Sequence, residues 1–374
     1  MNYLDKIVPV VISFVVSAIL TYVVLKIGQK YKLGLPIRER DVHQKLIPRI
    51  GGVAIFLSFL FVALAYHLHD SSSFSGFGFP FAVLGFSIDK RLLAVLAGGA
   101  VLVAFMFVDD IRGLSASKKL LAQILVAFIV IAGGIGITYI NNPLLGPTIY
   151  LNSTLIPVTL GGVVYHIVLW ADLLAVVWLI LLMNVINFSD GIDGLAGTIS
   201  AIALLVISIL SSRLPVDQPA TMLLALIGLG SVLGFLVWNL PPAKIFMGDS
   251  GAMFLGYLTA VLAIIAGAKL ATTLVVLALP IIDSMIVIIG RLVKGKNPMT
   301  HADKSHLHHR LLAAGLTVRQ TVLVLCGLSV LFGIAALQNN GIGKITIFII
   351  ATAVVLLIVW WSSVKANRRQ QDLI

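Results

Sequence analysis

Residues 92–140 read LLAVLAGGAVLVAFMFVDDIRGLSASKKLLAQILVAFIVIAGGIGITYI. Two apolar runs, 92–108 and 118–140, meet at a short connection holding Asp109, Asp110 and Arg112, and Lys118 and Lys119 open the second run. A bilayer core of about 30 Å is crossed by about 20 apolar helical residues. Each run therefore has the size of a transmembrane helix, and the charged residues between them mark a membrane boundary.

The same alternation fills the chain. Further apolar runs lie near 7–27, 50–68, 171–188, 195–211, 221–240, 251–268, 271–290, 321–337 and 344–362. Of 374 residues, 59% are hydrophobic and 11% charged, with a mean hydropathy of +1.08. A soluble domain carries roughly 25% charged residues, so a string of soluble domains is excluded. The expectation is an all-α polytopic membrane protein of eleven transmembrane helices, forming a single integral membrane domain over 1–374. The first 30 residues show no small-residue cleavage site, which reads as a retained first helix. The single Cys326 lies in an apolar run and offers neither a disulfide framework nor a thiolate metal site.

Basic residues set the orientation. One set of connections and the C-terminal tail hold 20 of the 26 Lys and Arg, and the opposite side holds six. The N-terminus is therefore expected outside and the C-terminus in the cytoplasm. The net charge of +11 reads as cytoplasmic basic loops, with no nucleic-acid partner. The outer connections, 69–91 and 141–170, are rich in Gly, Ser, Pro and Asn, and the second has room for a short β-hairpin. The inner connections, near 28–50, 109–119, 184–195, 241–251 and 291–320, hold the unusual residues. Of the 15 acids, 14 are Asp and one is Glu39, a bias toward positioned short side chains.

Asp109 and Asp110 are adjacent carboxylates, costly to desolvate unless a cation or a proton transfer uses them. In NVINFSDGIDG (184–194), Asn184, Asn187, Asp190 and Asp193 recur every three residues. That spacing keeps them near one helix face, and four oxygen-bearing side chains suit a hard cation such as Mg²⁺. Gly191 and Gly194 break the helix and admit close approach to the backbone. In PPAKIFMGDSG (241–251), Asp249 reads either as the N-cap of the next helix or as a further oxygen ligand. Phe246 in the same connection reads as a stacking platform for a base or as an interfacial anchor. HADKSHLHH (301–309) concentrates His301, His306, His308 and His309 beside Lys304 and Arg310. Without cysteines, and with acids nearby that favour a hard ion, this loop suits a phosphate or sugar phosphate better than zinc. A solvated pH-sensitive loop is the plainer alternative. His43, Lys45 and Arg49 extend the basic pattern in the first inner loop. Asp283, an acid inside an apolar run after Pro280, reads as architectural support for the site.

Divalent ion, cations and carboxylates on one face are the equipment of phosphoryl transfer. HQKLIPRIGG, VDDIRGL, NVINFSDGIDGLAG, KIFMGDSG and HADKSHLHHRL, in this order over residues 43–311, resemble the signatures of the polyprenyl-phosphate N-acetylhexosamine-1-phosphate transferases. The span count and the HLHH loop resemble the WecA/TagO branch, whereas the related phospho-MurNAc-pentapeptide translocases carry consecutive His. Ala252 and Gly290 depart from the family pattern without touching a proposed ligand.

The resemblance implies that UDP-GlcNAc and undecaprenyl phosphate give undecaprenyl-pyrophosphoryl-GlcNAc and UMP, with Mg²⁺ as cofactor and Mn²⁺ as the alternative. It implies Asp249 and Asn187 as metal ligands and Asp109 or Asp110 as the group acting on the lipid phosphate. It further implies Phe246 against uracil, and Asp190 and Asp193 shaping the nucleotide pocket. Lys119 and Arg49 would meet phosphates, and His306, His308 and His309 the sugar phosphate, with Asn184, Lys45, His43 and Asp283 in support. The lipid bilayer is a partner of every span, and a homodimer is admitted, since membrane-facing surfaces are apolar whether or not they pair. The rival readings are a secondary transporter, a membrane scaffold, and the same chemistry on another UDP-sugar such as UDP-MurNAc-pentapeptide.

Overall fold

The computed structural model describes residues 3–33, 47–70, 74, 80–83, 86–142, 146–160, 163–213, 218–267, 269–295 and 305–371. The helices are α1 (Tyr3–Lys30), α2 (Gly51–His69), α3 (Lys90–Arg112), α4 (Ala116–Ala132), α5 (Leu169–Ser189), α6 (Leu195–Ser211) and α7 (Pro219–Asn239). They continue with α8 (Gly248–Ile265), α9 (Leu270–Val276), α10 (Ala278–Val293), α11 (Leu307–Ala313), α12 (Val318–Gln338) and α13 (Gly341–Gln371). Among the described residues, three antiparallel two-stranded sheets lie between the helices: β1 (Pro80–Val83) with β2 (Phe86–Asp89), β3 (Tyr139–Ile140) with β4 (Ile149–Tyr150), and β5 (Leu155–Leu160) with β6 (Val163–Val168). In the last pair Leu155 faces Val168 and Leu160 faces Val163.

The chain is an all-α polytopic membrane protein. Among the described residues, eight helices are long and apolar enough to cross a bilayer: α1, α2, α3, α5, α7, α8, α12 and α13. Each of the eleven apolar runs contains helix, but three depart from a simple span, and the run 118–140 leaves α4 at Ala132 and ends in β3. The run 271–290 is two helices, α9 and α10, bent by 77° about Leu277, and supplies a ninth crossing if the pair is one span. Helices α4 and α6 have 17 residues each, about 25 Å at 1.5 Å per residue, short of the hydrocarbon thickness.

Helix α8 is the axis of the bundle. Every one of its residues except Asp249 is buried, against α2, α3, α5 and α6. Helix α7 is nearly as enclosed. At the margins, α1 exposes Ile7, Val11 and Ile19, and α13 exposes Ile349, Leu357 and Trp360, as lipid-facing helices do. Helix α1 is tied to α7 by Ser17 Oγ donating to Ser231 O (2.5 Å) and Trp238 Nε1 donating to Ala18 O (3.0 Å).

Small residues let α8 approach its neighbours, the usual packing device where lipid gives no hydrophobic drive between helices. At the start of α2, a Cβ on Gly52 would collide with the backbone of Gly251. The same approach is stitched by backbone hydrogen bonds, Gly51 N to Phe246 O (2.9 Å), Gly52 N to Met247 O (2.8 Å) and Phe246 N to Pro48 O (2.9 Å). Gly52→Ala forces these segments apart, an overpacking cost of about 1–3 kcal/mol. We expect a lower melting temperature in detergent, and an unchanged one would show that the contact is slack.

The hairpin β1–β2 connects the C-terminal end of α2 to the N-terminal end of α3, and β5–β6 leads into the N-terminal end of α5. The polar clusters sit at the other ends of these helices.

Candidate active site

Helix α3 begins with Asp89 accepting from Arg91 N (2.7 Å) and Leu92 N (3.4 Å) and ends at Gly113, whose φ of +72° lets its N–H reach Asp109 O. Asp109 and Asp110 thus lie in the last turn, both buried. They point to different partners. Asp110 Oδ1 accepts from Asp249 N (2.7 Å), and Oδ2 accepts from Ser250 N (3.2 Å) and Ser250 Oγ (2.5 Å). A carboxylate from α3 therefore satisfies the orphan donors that open α8 and lies at the positive end of that helix. A Cβ on Gly248 would sit 2.6 Å from either Asp110 oxygen, and its φ is +70°, so this turn requires glycine. The N-cap reading of Asp249 is thereby corrected. Met247 occupies the cap position, with no side-chain cap of its own, and Asp110 does the capping across space.

Freed from that task, Asp249 faces the cluster. Its Oδ2 meets Lys119 Nζ at 2.5 Å, and Lys119 Nζ also meets Asp109 Oδ2 at 2.6 Å. Asp109 Oδ1 accepts from Leu114 N (2.5 Å), and the Asn187 side chain lies beside Asp249. Carboxylate oxygens of Asp109, Asp110 and Asp249 lie within 4.8 Å of one another and could hold a metal ion. The donor set is all oxygen, which suits a hard cation. Among the described residues, three carboxyl groups of the cluster share the ammonium of Lys119, which leaves room for further positive charge.

The four-residue stripe on α5 does not converge on one point. Asn184 pairs with Gln123 on α4, Nδ2 donating to Gln123 Oε1 (2.9 Å), so it braces helices and does not face the cluster. Asn187 joins Asp249. Asp190, half-buried at the C-cap of α5, has its carboxyl pushed up to about 7, chiefly by burial and then by the nearby charges of Asp249 and Asp193, with Arg49 opposing. Asp193 Oδ2 accepts from Ala243 N (2.9 Å) and so holds the 240–246 connection. The stripe splits because α5 ends at Ser189, and residues beyond it leave the helical face.

Sequence reasoning singled out neither Gln123, Asn239 nor Ser250. Asn239 spans the same loops, with Gly194 N donating to its Oδ1 (3.1 Å) and its Nδ2 donating to Ile245 O (2.9 Å). The signal was present for two of them, since Ser250 lies inside PPAKIFMGDSG and Asn239 two residues before it, whereas Gln123 lies nine residues beyond VDDIRGL. Above this loop, the Arg49 guanidinium lies 5.7 Å over the Phe246 ring.

Asp283 anchors the histidine segment. Its Oδ2 lies 2.8 Å from His306 Nδ1, and its Oδ1 accepts from Leu307 N at 2.8 Å, so a buried acid of α10 holds the start of α11. One turn along α10 from Pro280, Ser284 Oγ donates to Pro280 O (2.7 Å). His306 and His308 stack with ring centroids 5.7 Å apart, His308 and His309 lie 4.3 Å apart, and Phe188 lies 5.8 Å from His306. The close approach that Gly191 permits is taken by the His308 ring, whose Nε2 would collide with a Cβ there. Burial foremost, then the neighbouring His309 and His306, holds the His308 imidazole well below the usual range, so it is neutral at pH 7. The structure thus brings Asp109, Asp110, Lys119, Asn187 and Asp249 together, and Phe188 beside His306 ties the histidine segment to the end of α5. His43, Lys45, His301 and Lys304 lie outside the described residues.

Residues 92–267 match the model of glycosyl transferase family 4, a stretch holding every member of the carboxylate cluster. The chain is 32% identical over 343 residues to the probable undecaprenyl-phosphate N-acetylglucosaminyl 1-phosphate transferase of Bacillus subtilis (strain 168), covering 89% of this chain and 86% of that protein. It is 33% identical to the decaprenyl-phosphate N-acetylglucosaminephosphotransferase of Mycobacterium leprae, covering 86% of this chain and 82% of that one. It is 29% identical to the phospho-N-acetylmuramoyl-pentapeptide-transferase of Halalkalibacterium halodurans, covering 87% and 95%.

Proposed function

The chain belongs to glycosyl transferase family 4, the polyprenyl-phosphate N-acetylhexosamine-1-phosphate transferases, and from this we infer the reaction that its site performs. It moves GlcNAc-1-phosphate from UDP-GlcNAc to undecaprenyl phosphate, releasing UMP and leaving undecaprenyl-pyrophosphoryl-GlcNAc, which starts a cell-envelope glycopolymer. The observation that carries the reading is the cluster of Asp109, Asp110 and Asp249 around Lys119, at the ends of apolar helices where a lipid phosphate and a soluble nucleotide can meet. The N-acetylglucosaminyl relatives favour GlcNAc over the muramoyl-pentapeptide donor, as does the His-Leu-His-His sequence at 306–309.

In the proposed mechanism the lipid phosphate is the nucleophile. One of its oxygens attacks the phosphorus that carries the sugar, and the bond to the bridging oxygen breaks. UMP leaves with that oxygen and its electron pair. A phosphate dianion has little proton to lose at neutral pH, so the main task is to neutralise charge. Lys119 is positioned for this by Asp109 and Asp249. Asp109 is better placed than Asp110 to orient the acceptor, since both Asp110 oxygens are committed to α8. Mg²⁺ held by Asp249 and Asn187, beside Asp109, would supply Lewis-acid neutralisation of the pyrophosphate. We assign Arg49 to a phosphate and Phe246, whose ring lies under its guanidinium, to the uracil, and the histidine segment to the sugar phosphate. Trapping a phosphorylated Asp109 would contradict direct attack.

Eleven spans, with α4, α6 and the bent α9–α10 pair crossing as well, put the termini on opposite sides. The bias of the basic residues supports a site on the cytoplasmic face of the bacterial inner membrane. UMP release from UDP-GlcNAc and undecaprenyl phosphate tests the reading. Removing Asp283 releases both anchors of α11 and strands buried polar groups, at about 1–3 kcal/mol each. Asp283→Ala is therefore expected to raise KM for UDP-GlcNAc at least tenfold with a smaller change in kcat, and unchanged kinetics would detach the histidine segment from the site.

A further inference from the structure

We infer that Gln123 is a positioning residue that sets the geometry of the metal-binding cluster. Its side chain is 1% exposed. Its Oε1 accepts from Asn184 Nδ2 (2.9 Å), and its Nε2 reaches Asn184 Oδ1 (3.4 Å) and Met253 Sδ (3.4 Å). Each of these three residues lies one turn from a site residue on its own helix. Gln123 is four residues after Lys119 on α4, Asn184 three before Asn187 on α5, and Met253 four after Asp249 on α8. Residues three or four apart share a helix face. Gln123, Asn184 and Met253 therefore form a layer one turn deeper in the bundle than Lys119, Asn187 and Asp249.

Gln123 alone of the three touches both other helices through its side-chain amide. A slide or rotation of α4, α5 or α8 would break a reciprocal amide pair away from water, where polar pairs between membrane helices are costly to leave unmade. The register of the deeper layer thus fixes where Lys119, Asn187 and Asp249 meet. Asn184 serves the metal site through this layer and not as a ligand.

The inference deepens the metal reading and rests on it, so its test reads metal binding directly. Full-length protein in detergent is titrated with Mn²⁺ and followed by electron paramagnetic resonance, beside thermal unfolding. Supporting partners of metal ligands typically set affinity by about 10–100-fold. Gln123→Leu is expected to weaken Mn²⁺ binding at least tenfold and to lower the melting temperature. The double variant Gln123→Leu with Asn184→Leu, which removes the stranded amide, is expected to recover the melting temperature but not the Mn²⁺ affinity. If the single variant does not fold, the double variant carries the same comparison. Wild-type Mn²⁺ affinity in Gln123→Leu, or affinity that returns with stability in the double variant, overturns the inference. An Mn²⁺ signal in the unaltered protein that Asp249→Ala leaves intact overturns the metal reading itself, and the inference with it.

Discussion

Asp249→Ala lowers kcat for UMP release by about 10²–10³, the usual cost of removing one group that stabilises transition-state charge, and leaves the melting temperature near that of the unaltered protein. The reason lies in what this carboxylate does not do. Every other residue of α8 is buried in the bundle. The donors at the start of the helix are satisfied by Asp110, so the Asp249 side chain contributes little to folding. Its partners are Lys119 and Asn187, both members of the cluster. Near-normal turnover at saturating Mg²⁺ would refute its assignment as a metal ligand.

Asp110→Ala behaves differently. The buried carboxylate takes three hydrogen bonds at the start of α8. A hydrogen bond to a charged group contributes about 1.5–3 kcal/mol, and stranded buried donors add a desolvation penalty. We expect a fall in melting temperature of many degrees together with loss of activity, because the turn that presents Asp249 loses its support. Asp109→Ala, in contrast, should lose activity on the scale of Asp249→Ala with a smaller thermal effect. Full stability in Asp110→Ala with abolished turnover would move Asp110 from support to the reacting group.

These two carboxylates show where sequence reading stops. Adjacent Asp residues at the end of an apolar run announce a site, and residue types alone give them equal claims. On a helix, neighbouring side chains project about 100° apart, so one faces the start of α8 and the other faces Lys119. The partner of each depends on how α3 meets α8, which no local spacing encodes. Asn184 is a parallel case. Its place in a three-residue repeat is legible, but its pairing with Gln123 is set by the packing of α4 on α5. Asp283 was legible as support because an acid in an apolar run needs a partner, and that partner is His306.

Most of the helical architecture was legible, since long apolar runs have few alternatives in a membrane. The bend at Leu277 left a signal that reading the run 271–290 as one span passed over: Pro280 cannot donate to the carbonyl of Val276 and its ring crowds it, and the helix turns by 77° there.

Transfer of GlcNAc-1-phosphate to a lipid phosphate at the Asp109–Lys119–Asp249 cluster is open to direct measurement. The purified protein, incubated with radiolabelled UDP-GlcNAc, undecaprenyl phosphate and Mg²⁺, tests it directly. Equal amounts of UMP and labelled lipid product are expected, dependent on the lipid phosphate and abolished by Asp249→Ala. Turnover of UDP-MurNAc-pentapeptide in place of UDP-GlcNAc, or uptake of the nucleotide sugar into proteoliposomes without lipid product, would contradict it.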